Sequence, residues 1–159
     1  MKESFYIDNT KVGLGLFANR QIKKGEKILT FVGPIVSGKE AERKDLKLYG
    51  KSMGNALQIG DDTYIYLEDP GRIANHSCNP NSGIKHDIYL VSLRIINKGE
   101  EITYDYSCTM DDDLWTLKCK CGEENCREII KDFKYLPEKL QNKYLKLGIV
   151  QKFIEKQYG

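Results

Sequence analysis

Three cysteines fall within eight residues, in Cys119-Lys120-Cys121-Gly122-Glu123-Glu124-Asn125-Cys126. Structural zinc is usually held by four ligands in a tetrahedron, with thiolate sulfur roughly 2.3 Å from the metal, so this cluster supplies three donors and lacks one. The candidates for the fourth are Cys78, Cys108, His76 and His86. Only Cys78 lies in a run dense with turn formers, Asn75-His76-Ser77-Cys78-Asn79-Pro80-Asn81. A ligand that far upstream would pin the later part of the chain onto its middle. The alternatives are an iron–sulfur site or unliganded thiols. Cys108 is left over as a plain thiol.

A second chemical signal is Gly13-Leu14-Gly15-Leu16-Phe17-Ala18, which matches the letters of a dinucleotide-binding loop. That loop works only if a helix follows at once and turns its N-terminal amides toward a pyrophosphate. Here Asn19 to Lys24 and then Gly25 follow, too short and too broken for such a helix, so the dinucleotide reading fails. What survives is that Gly13 and Gly15 let backbone approach a ligand or another segment, or simply form a glycine turn. Tyr104 and Tyr106 carry phenols in Ile102-Thr103-Tyr104-Asp105-Tyr106, which reads as a strand. Taken alone, Tyr106 reads as a core aromatic of that strand.

The elements that must position these groups are mainly β. Lys27 to Val32 closes on Gly33-Pro34, Tyr64 to Leu67 lies between Asp61-Asp62 and Asp69-Pro70-Gly71, and Ile88 to Ile96 leads through Asn97-Lys98-Gly99 into Ile102 to Tyr106. Good helix formers from Lys39 to Tyr49 stop at Gly50. After Asp132, Leu136, Leu140, Tyr144 and Leu147 recur at helical spacing, with Pro137 near the start and Gly148 as the stop. Ile149, Val150, Phe153 and Ile154 make a further apolar face, and both helical segments are expected to cover the β body. Arg20-Gln21-Ile22-Lys23-Lys24-Gly25-Glu26 echoes Arg94-Ile95-Ile96-Asn97-Lys98-Gly99-Glu100, which predicts one turn used twice.

At 159 residues, the length suits one domain able to bury roughly two thirds of its unfolded surface. Twenty-five Lys plus Arg stand against 23 Asp plus Glu, a formal net charge of +2 that makes no global case for a nucleic-acid binder. Charge is uneven, however. Residues 99 to 128 are net acidic, with Asp111-Asp112-Asp113 at their centre, and residues 131 to 159 are net basic. No apolar run approaches the roughly 20 residues of a bilayer span, and the N-terminal residues lack a secretory core, so no membrane partner and an intracellular location are expected.

Asn75-His76-Ser77-Cys78-Asn79-Pro80-Asn81, then Gly99-Glu100-Glu101-Ile102-Thr103-Tyr104-Asp105-Tyr106, then the cysteine triplet, together with the early Gly13-Leu14-Gly15, resemble the SET-domain protein lysine methyltransferases. These four motifs stand in family order across residues 11 to 128. The build resembles small stand-alone SET proteins with a post-SET zinc motif. The resemblance implies an α+β chain, mainly β with C-terminal helices, with a β-clip fold and a knot-like crossing. It implies a SET domain over residues 1 to 110, a post-SET segment over 111 to 130 and a helical extension over 131 to 159. The reaction implied is methyl transfer from S-adenosyl-L-methionine to a lysine amine of a protein substrate, basic or histone-like. One structural zinc would sit on Cys78, Cys119, Cys121 and Cys126.

By the same resemblance Tyr106 is the catalytic tyrosine. Gly13, Leu14, Gly15, Asn75 and His76 hold the cofactor, and Arg72-Ile73 leads into the Asn-His pair. Tyr104 stands where the family carries Phe or Tyr, and a Tyr there implies mainly monomethylation. Trp115 and Leu117 would close over the adenine or the lysine channel, and Asp111, Asp112 and Asp113 would form an acidic rim at its mouth. Phe31 replaces a frequent channel tyrosine, Asn55 to Ile59 contains no tyrosine matching another, and Glu128 replaces a frequent glycine. Cytoplasm, nucleus and delivery into a host cell are all compatible locations. The competing function is a catalytically silent SET module that binds a basic peptide or partner. A zinc-stabilised nucleic-acid binder is disfavoured by the acidic segment.

Overall fold

The computed structural model describes residues 3–52 and 54–159. The chain opens with a hairpin of Phe5–Thr10 (β1) and Gly13–Ala18 (β2), so the glycine-rich segment is a strand, in keeping with the rejection of a dinucleotide loop. Lys27–Thr30 (β3) and the short Ile35–Val36 (β4) lead into the helix Gly38–Tyr49 (α1). Ser37 caps that helix by accepting the Glu40 amide, and Gly50 ends it with φ 72°, as the predicted stop requires.

Ala56–Gly60 (β5) and Thr63–Tyr66 (β6) form a hairpin with β4 on the outer side of β6. The short Asn75–His76 (β7) precedes Ser82–Lys85 (β8) and Tyr89–Ser92 (β9), which pair with β3. Glu101–Tyr104 (β10) lies between β2 and β7, antiparallel to the first and parallel to the second. The register sets Glu101 beside Phe17, Thr103 beside Asn75 and Tyr104 beside His76. Three segments far apart in sequence are thereby joined in one small sheet.

Two expectations are corrected here. The strand read from Ile88 to Ile96 ends at Ser92, because the Leu93 amide turns to the Asn81 carbonyl and Ile96 bridges to Ile22 instead. The strand read through Tyr106 ends at Tyr104. Asp105 then caps a 3-10 turn over Tyr106–Thr109 by accepting the Ser107 amide. Tyr106 is therefore carried on a turn rather than on a pleat.

The repeated turn is real. Gly25 and Gly99 have φ 83° and 88°, Ile22 and Ile96 exchange backbone hydrogen bonds, and Arg20–Glu26 and Arg94–Glu100 are matching ion pairs. Positive φ at those turns is the reason for glycine in both copies.

One core gathers Leu16, Ile22, Ile84, Leu90, Ile96 and Ile102 from these sheets. A second holds Phe133, Tyr144, Ile149 and Ile154 around Cys108. Its residues come chiefly from the segment after Asp132 and from the helices Glu138–Leu147 (α2) and Lys152–Glu155 (α3), while Leu117–Lys118 (β11) and Ile129–Ile130 (β12) form a separate two-stranded sheet. Gly148 terminates α2 with φ 68°. Gln151 is fully buried and ties this cover to the β body through the carbonyls of Gln58 and Asp87. Among the described residues no helix is long and apolar enough to cross a membrane.

Candidate active site

The β2–β10–β7 sheet determines how Asn75 is held. Its Nδ2 donates to the Leu14 carbonyl at 2.8 Å and to Glu101 Oε1 at 2.9 Å, which commits both amide hydrogens. Oδ1 is left as an acceptor with no partner among the described residues. Gly15 makes this approach possible, since a Cβ there would stand 2.6 Å from Glu101 Oε1 and 2.7 Å from Thr10 Cγ2. Glu101 was not singled out by sequence reasoning, although it lies inside the Gly99-Glu100-Glu101-Ile102 motif.

His76 sits one residue further, buried, and its Nδ1 accepts the Tyr106 amide at 3.1 Å. Burial pushes its pKa down to about 4, against the opposing pull of Asp105, so the ring is neutral. With Nδ1 accepting, the proton is on Nε2, which lies 3.3 Å from Cys78 Sγ. His76 thus links the tyrosine turn to the cysteine cluster. Tyr106 donates its hydroxyl to the Ala74 carbonyl at 2.7 Å, and its ring lies 4.9 Å from Tyr104 and 6.2 Å from Trp115. Burial raises the pKa of both Tyr104 and Tyr106, so both act as neutral phenols. They can orient a partner but are poorly suited to take its proton.

Two cavities meet at these aromatics. The larger, about 590 Å³, is lined by Lys11, Asn75, His76, Glu101 and Leu117 among others. The smaller, about 290 Å³, is lined by Asp45, Leu57, Tyr64, Tyr104 and Asp112 among others. Gly54, Asn55, Arg72, Tyr106 and Trp115 line both. Such a shared wall suits a reaction between two molecules that enter from different sides. Gly54 carried no sequence signal, yet a Cβ there would stand 2.7 Å from the Trp115 ring, so a small residue is what lets the indole close this wall.

Phe31 lines neither cavity. It is buried edge-on to Tyr104 at 5.7 Å, so its lack of a hydroxyl takes nothing from the cavity surface. The tyrosine sought near Asn55 to Ile59 has a counterpart one strand away, where Tyr64 pairs with Gln58 across the β5–β6 hairpin. The acidic rim is corrected as well. Only Asp112 lines a cavity, while Asp113 is held by Lys134 and Tyr135, and Asp111 accepts from Gln157.

The sulfurs of Cys78, Cys119, Cys121 and Cys126 lie within 4.8 Å of one another, and Cys108 stands apart in the second core. Cys78 and Cys119 Sγ are 3.9 Å apart. A tetrahedron with metal–sulfur bonds of roughly 2.3 Å has edges of about 3.8 Å, so the donor set fits a thiophilic tetrahedral ion. The amides of Arg127 and Cys121 point at Cys78 and Cys119 sulfur, each at 3.4 Å, which suits thiolates. Burial drives the Cys78 thiol up to about 11, however, and Cys121 opposes its ionisation further. A cation among them reverses that balance.

A chain loaded with zinc is accordingly expected to lose about 10 °C or more in melting temperature when a strong chelator strips it, reversibly on metal return. Differential scanning calorimetry with parallel thiol titration checks this. An unchanged melt after complete metal loss would contradict a structural site.

Arg127, next to Cys126, forks onto Asp105 with two 2.8 Å hydrogen bonds and reaches Ser107 Oγ at 3.1 Å. Asp105 is almost fully buried and also accepts from the Tyr144 hydroxyl at 2.9 Å. The cysteine segment, the helix α2 and the Tyr104-Asp105-Tyr106 run are therefore joined at one carboxylate.

A SET-domain family model matches residues 13–107, more than half of the chain, and the chain belongs to the SET-domain family. Relatives agree with that class. The chain is 33% identical over 140 residues to human histone-lysine N-methyltransferase 2D, covering 80% of this chain and 2% of that protein. It is 30% identical over 139 residues to histone-lysine N-methyltransferase trr of Drosophila melanogaster, covering 80% of this chain and 6% of that protein. With the variant-silencing SET domain-containing protein of Plasmodium falciparum, identity is 35% over 134 residues, covering 73% and 5%. The chain thus spans only a small part of the length of these relatives.

Proposed function

We propose that the chain is a protein-lysine methyltransferase that uses S-adenosyl-L-methionine and transfers mainly a single methyl group. The observation that carries this reading is Tyr106 standing in the wall shared by two cavities. On this reading residues up to 110 carry the SET body, 111 to 130 the zinc-binding closure on Cys78, Cys119, Cys121 and Cys126, and 131 to 159 a helical cover. The substrate is a basic, histone-like protein, as the names of the relatives suggest, and the setting is intracellular.

The larger cavity suits the amino-acid end of the donor. Asn75 Oδ1 and the Glu101 carboxylate are acceptors for its ammonium, and the Lys11 ammonium is a partner for its carboxylate. Gly13, Leu14 and Gly15 do not line this cavity and act by letting Asn75 and Glu101 pack against the β2 backbone. The bound donor supplies an electrophilic methyl carbon on a positive sulfur. The protein's share is placement of the lysine amine. A free lysine amine has a pKa of about 10.4, and burial beside a positive charge favours the neutral, nucleophilic form. Tyr106, fixed by Ala74, orients that amine, while Trp115 excludes water from the shared wall.

Tyr104 supports the single transfer. Its ring is 6% exposed, it lines the smaller cavity beside Tyr106, and its hydroxyl has no partner among the described residues. A hydroxyl there can bind water or the amine, and it occupies space that a methylated amine needs to rotate. Tyr104→Phe is expected to shift the product from monomethyl to di- or trimethyl-lysine, read by mass spectrometry of a lysine peptide. Efficient trimethylation by the unmutated chain would overturn the monomethyl reading.

A further inference from the structure

We propose that Asp111, Asp112 and Asp113 are positioning residues, which clamp the segment carrying Trp115 and so set how tightly the larger cavity holds the donor. The donor half of this rests on the methyltransferase reading, whereas the clamp rests on contacts alone. Residues 111 to 129, all among the described residues, include no buried one, so apolar packing does not fix the chain between Met110 and Ile130. The β11–β12 pair and the cysteine cluster hold it only from Leu117 onward. Yet Trp115 lines both cavities, stands 6.2 Å from the Tyr106 ring and fills space that a Cβ on Gly54 would invade. Something other than burial has to place it.

The three aspartates do so by reaching three different elements. Asp111 Oδ2 accepts from Gln157 Nε2 at 2.7 Å, on the 3-10 turn Lys156–Tyr158 near the C-terminus. Asp112 Oδ2 accepts from the Tyr64 hydroxyl on β6, also at 2.7 Å. Asp113 takes the Tyr135 hydroxyl at 2.9 Å and the Lys134 ammonium at 2.5 Å, both from the 3-10 turn Phe133–Tyr135. The backbone is tied as well, since the Asp111 amide donates to Gln58 Oε1 at 2.9 Å and the Asp113 amide to Asp132 Oδ2 at 2.8 Å. Asp113 has φ 56°, a left-handed conformation in which aspartate is enriched over most side chains. The second oxygen of Asp112 then accepts the Leu114 amide at 2.9 Å, one residue before the indole.

A clamp and an acidic rim ask different things of the same side chain. A rim needs the charge of Asp112, whereas the clamp needs its two hydrogen-bonding positions. Asparagine supplies both, because its carbonyl can accept the Leu114 amide while its NH2 donates to the Tyr64 oxygen, a hydroxyl serving in either role. Alanine supplies neither. Contacts of this kind are weak one by one, so the clamp works through their number and their three directions.

Trp115 is the only tryptophan of the chain, so its fluorescence reads the placement of this segment directly. The test compares the unmutated full chain with Asp112→Ala, Asp112→Asn and Tyr64→Phe. Acrylamide quenching of Trp115 is measured without donor, affinity for S-adenosyl-L-methionine by isothermal titration calorimetry, and melting temperature for each chain to confirm folding. Asp112→Ala and Tyr64→Phe should raise the quenching constant about twofold, as a loosened segment does. They should also weaken donor binding about fivefold, the equivalent of one hydrogen bond. Asp112→Asn should match the unmutated chain in both. Equal damage from asparagine and alanine, or quenching unchanged by alanine, would overturn the clamp. Quenching that rises while donor affinity holds would overturn its link to the donor. No donor binding by any chain, with the quenching pattern as expected, would contradict the methyltransferase reading and leave the clamp itself standing.

Discussion

Replacing Arg127 by methionine is expected to destabilise the folded chain by about 3–5 kcal/mol, the range for breaking one side of a buried ion pair. The size follows from what stays behind. Asp105 has no exposed side-chain surface, and Arg127 supplies both of its charge-assisted contacts. Methionine fills similar volume without a donor, so Asp105 keeps only the Tyr144 hydroxyl and the Ser107 amide for a full negative charge. The damage would spread to the site, because Asp105 lies between Tyr104 and Tyr106 and caps the turn that carries Tyr106. Adding Asp105→Asn to the same chain should recover a good part of the loss, since no unpaired charge then remains. Urea denaturation of the single and double variants measures this. A loss below about 1 kcal/mol for Arg127→Met would show that the pair is not the keystone described.

Removal of the Tyr106 hydroxyl should leave a folded protein that binds its donor and turns over about 10²- to 10³-fold more slowly, as when an oriented polar group at a reacting centre is lost. The hydroxyl is fixed on the Ala74 carbonyl, and the ring is braced by Tyr104, His76 and Trp115, so phenylalanine keeps the packing and loses only the dipole. The stability cost is that of one hydrogen bond, about 1 kcal/mol, plus whatever Ala74 loses if water cannot replace its partner. The effect should therefore fall on kcat and leave KM for the donor nearly unchanged. Stopped assays across donor concentrations separate the two, and an equal loss in donor affinity would make Tyr106 a packing residue instead.

What the sequence revealed and what it concealed divide along physical lines. The cysteine quartet was legible because metal ligation restricts residue type so strongly that three clustered thiols demand a fourth donor. The helices α1 and α2 were legible because Gly50 and Gly148 end them by a local rule that needs no tertiary context. Tyr106 was misplaced onto a strand since alternation cannot reveal that Asp105 will cap a 3-10 turn. Asp111, Asp112 and Asp113 looked like one rim, yet an irregular backbone aims each in its own direction and only Asp112 reaches a cavity. Arg127 and Asp105 are separated by 22 residues, and Tyr64 and Asp112 by 48, so their pairing depends on the assembled fold. Such pairs leave no local pattern to read.

On the proposed function, Tyr106 stands between a methyl donor and a lysine amine. The direct measurement is incubation of the chain with S-adenosyl-L-methionine and a panel of basic proteins, followed by mass spectrometry of the products, with Tyr106→Phe alongside. The expected result is the mass of one methyl group on a lysine side chain, formed by the unmutated chain and nearly absent with the variant. Donor binding without a mass gain on any lysine would contradict the account and point to a SET module that binds basic partners without modifying them.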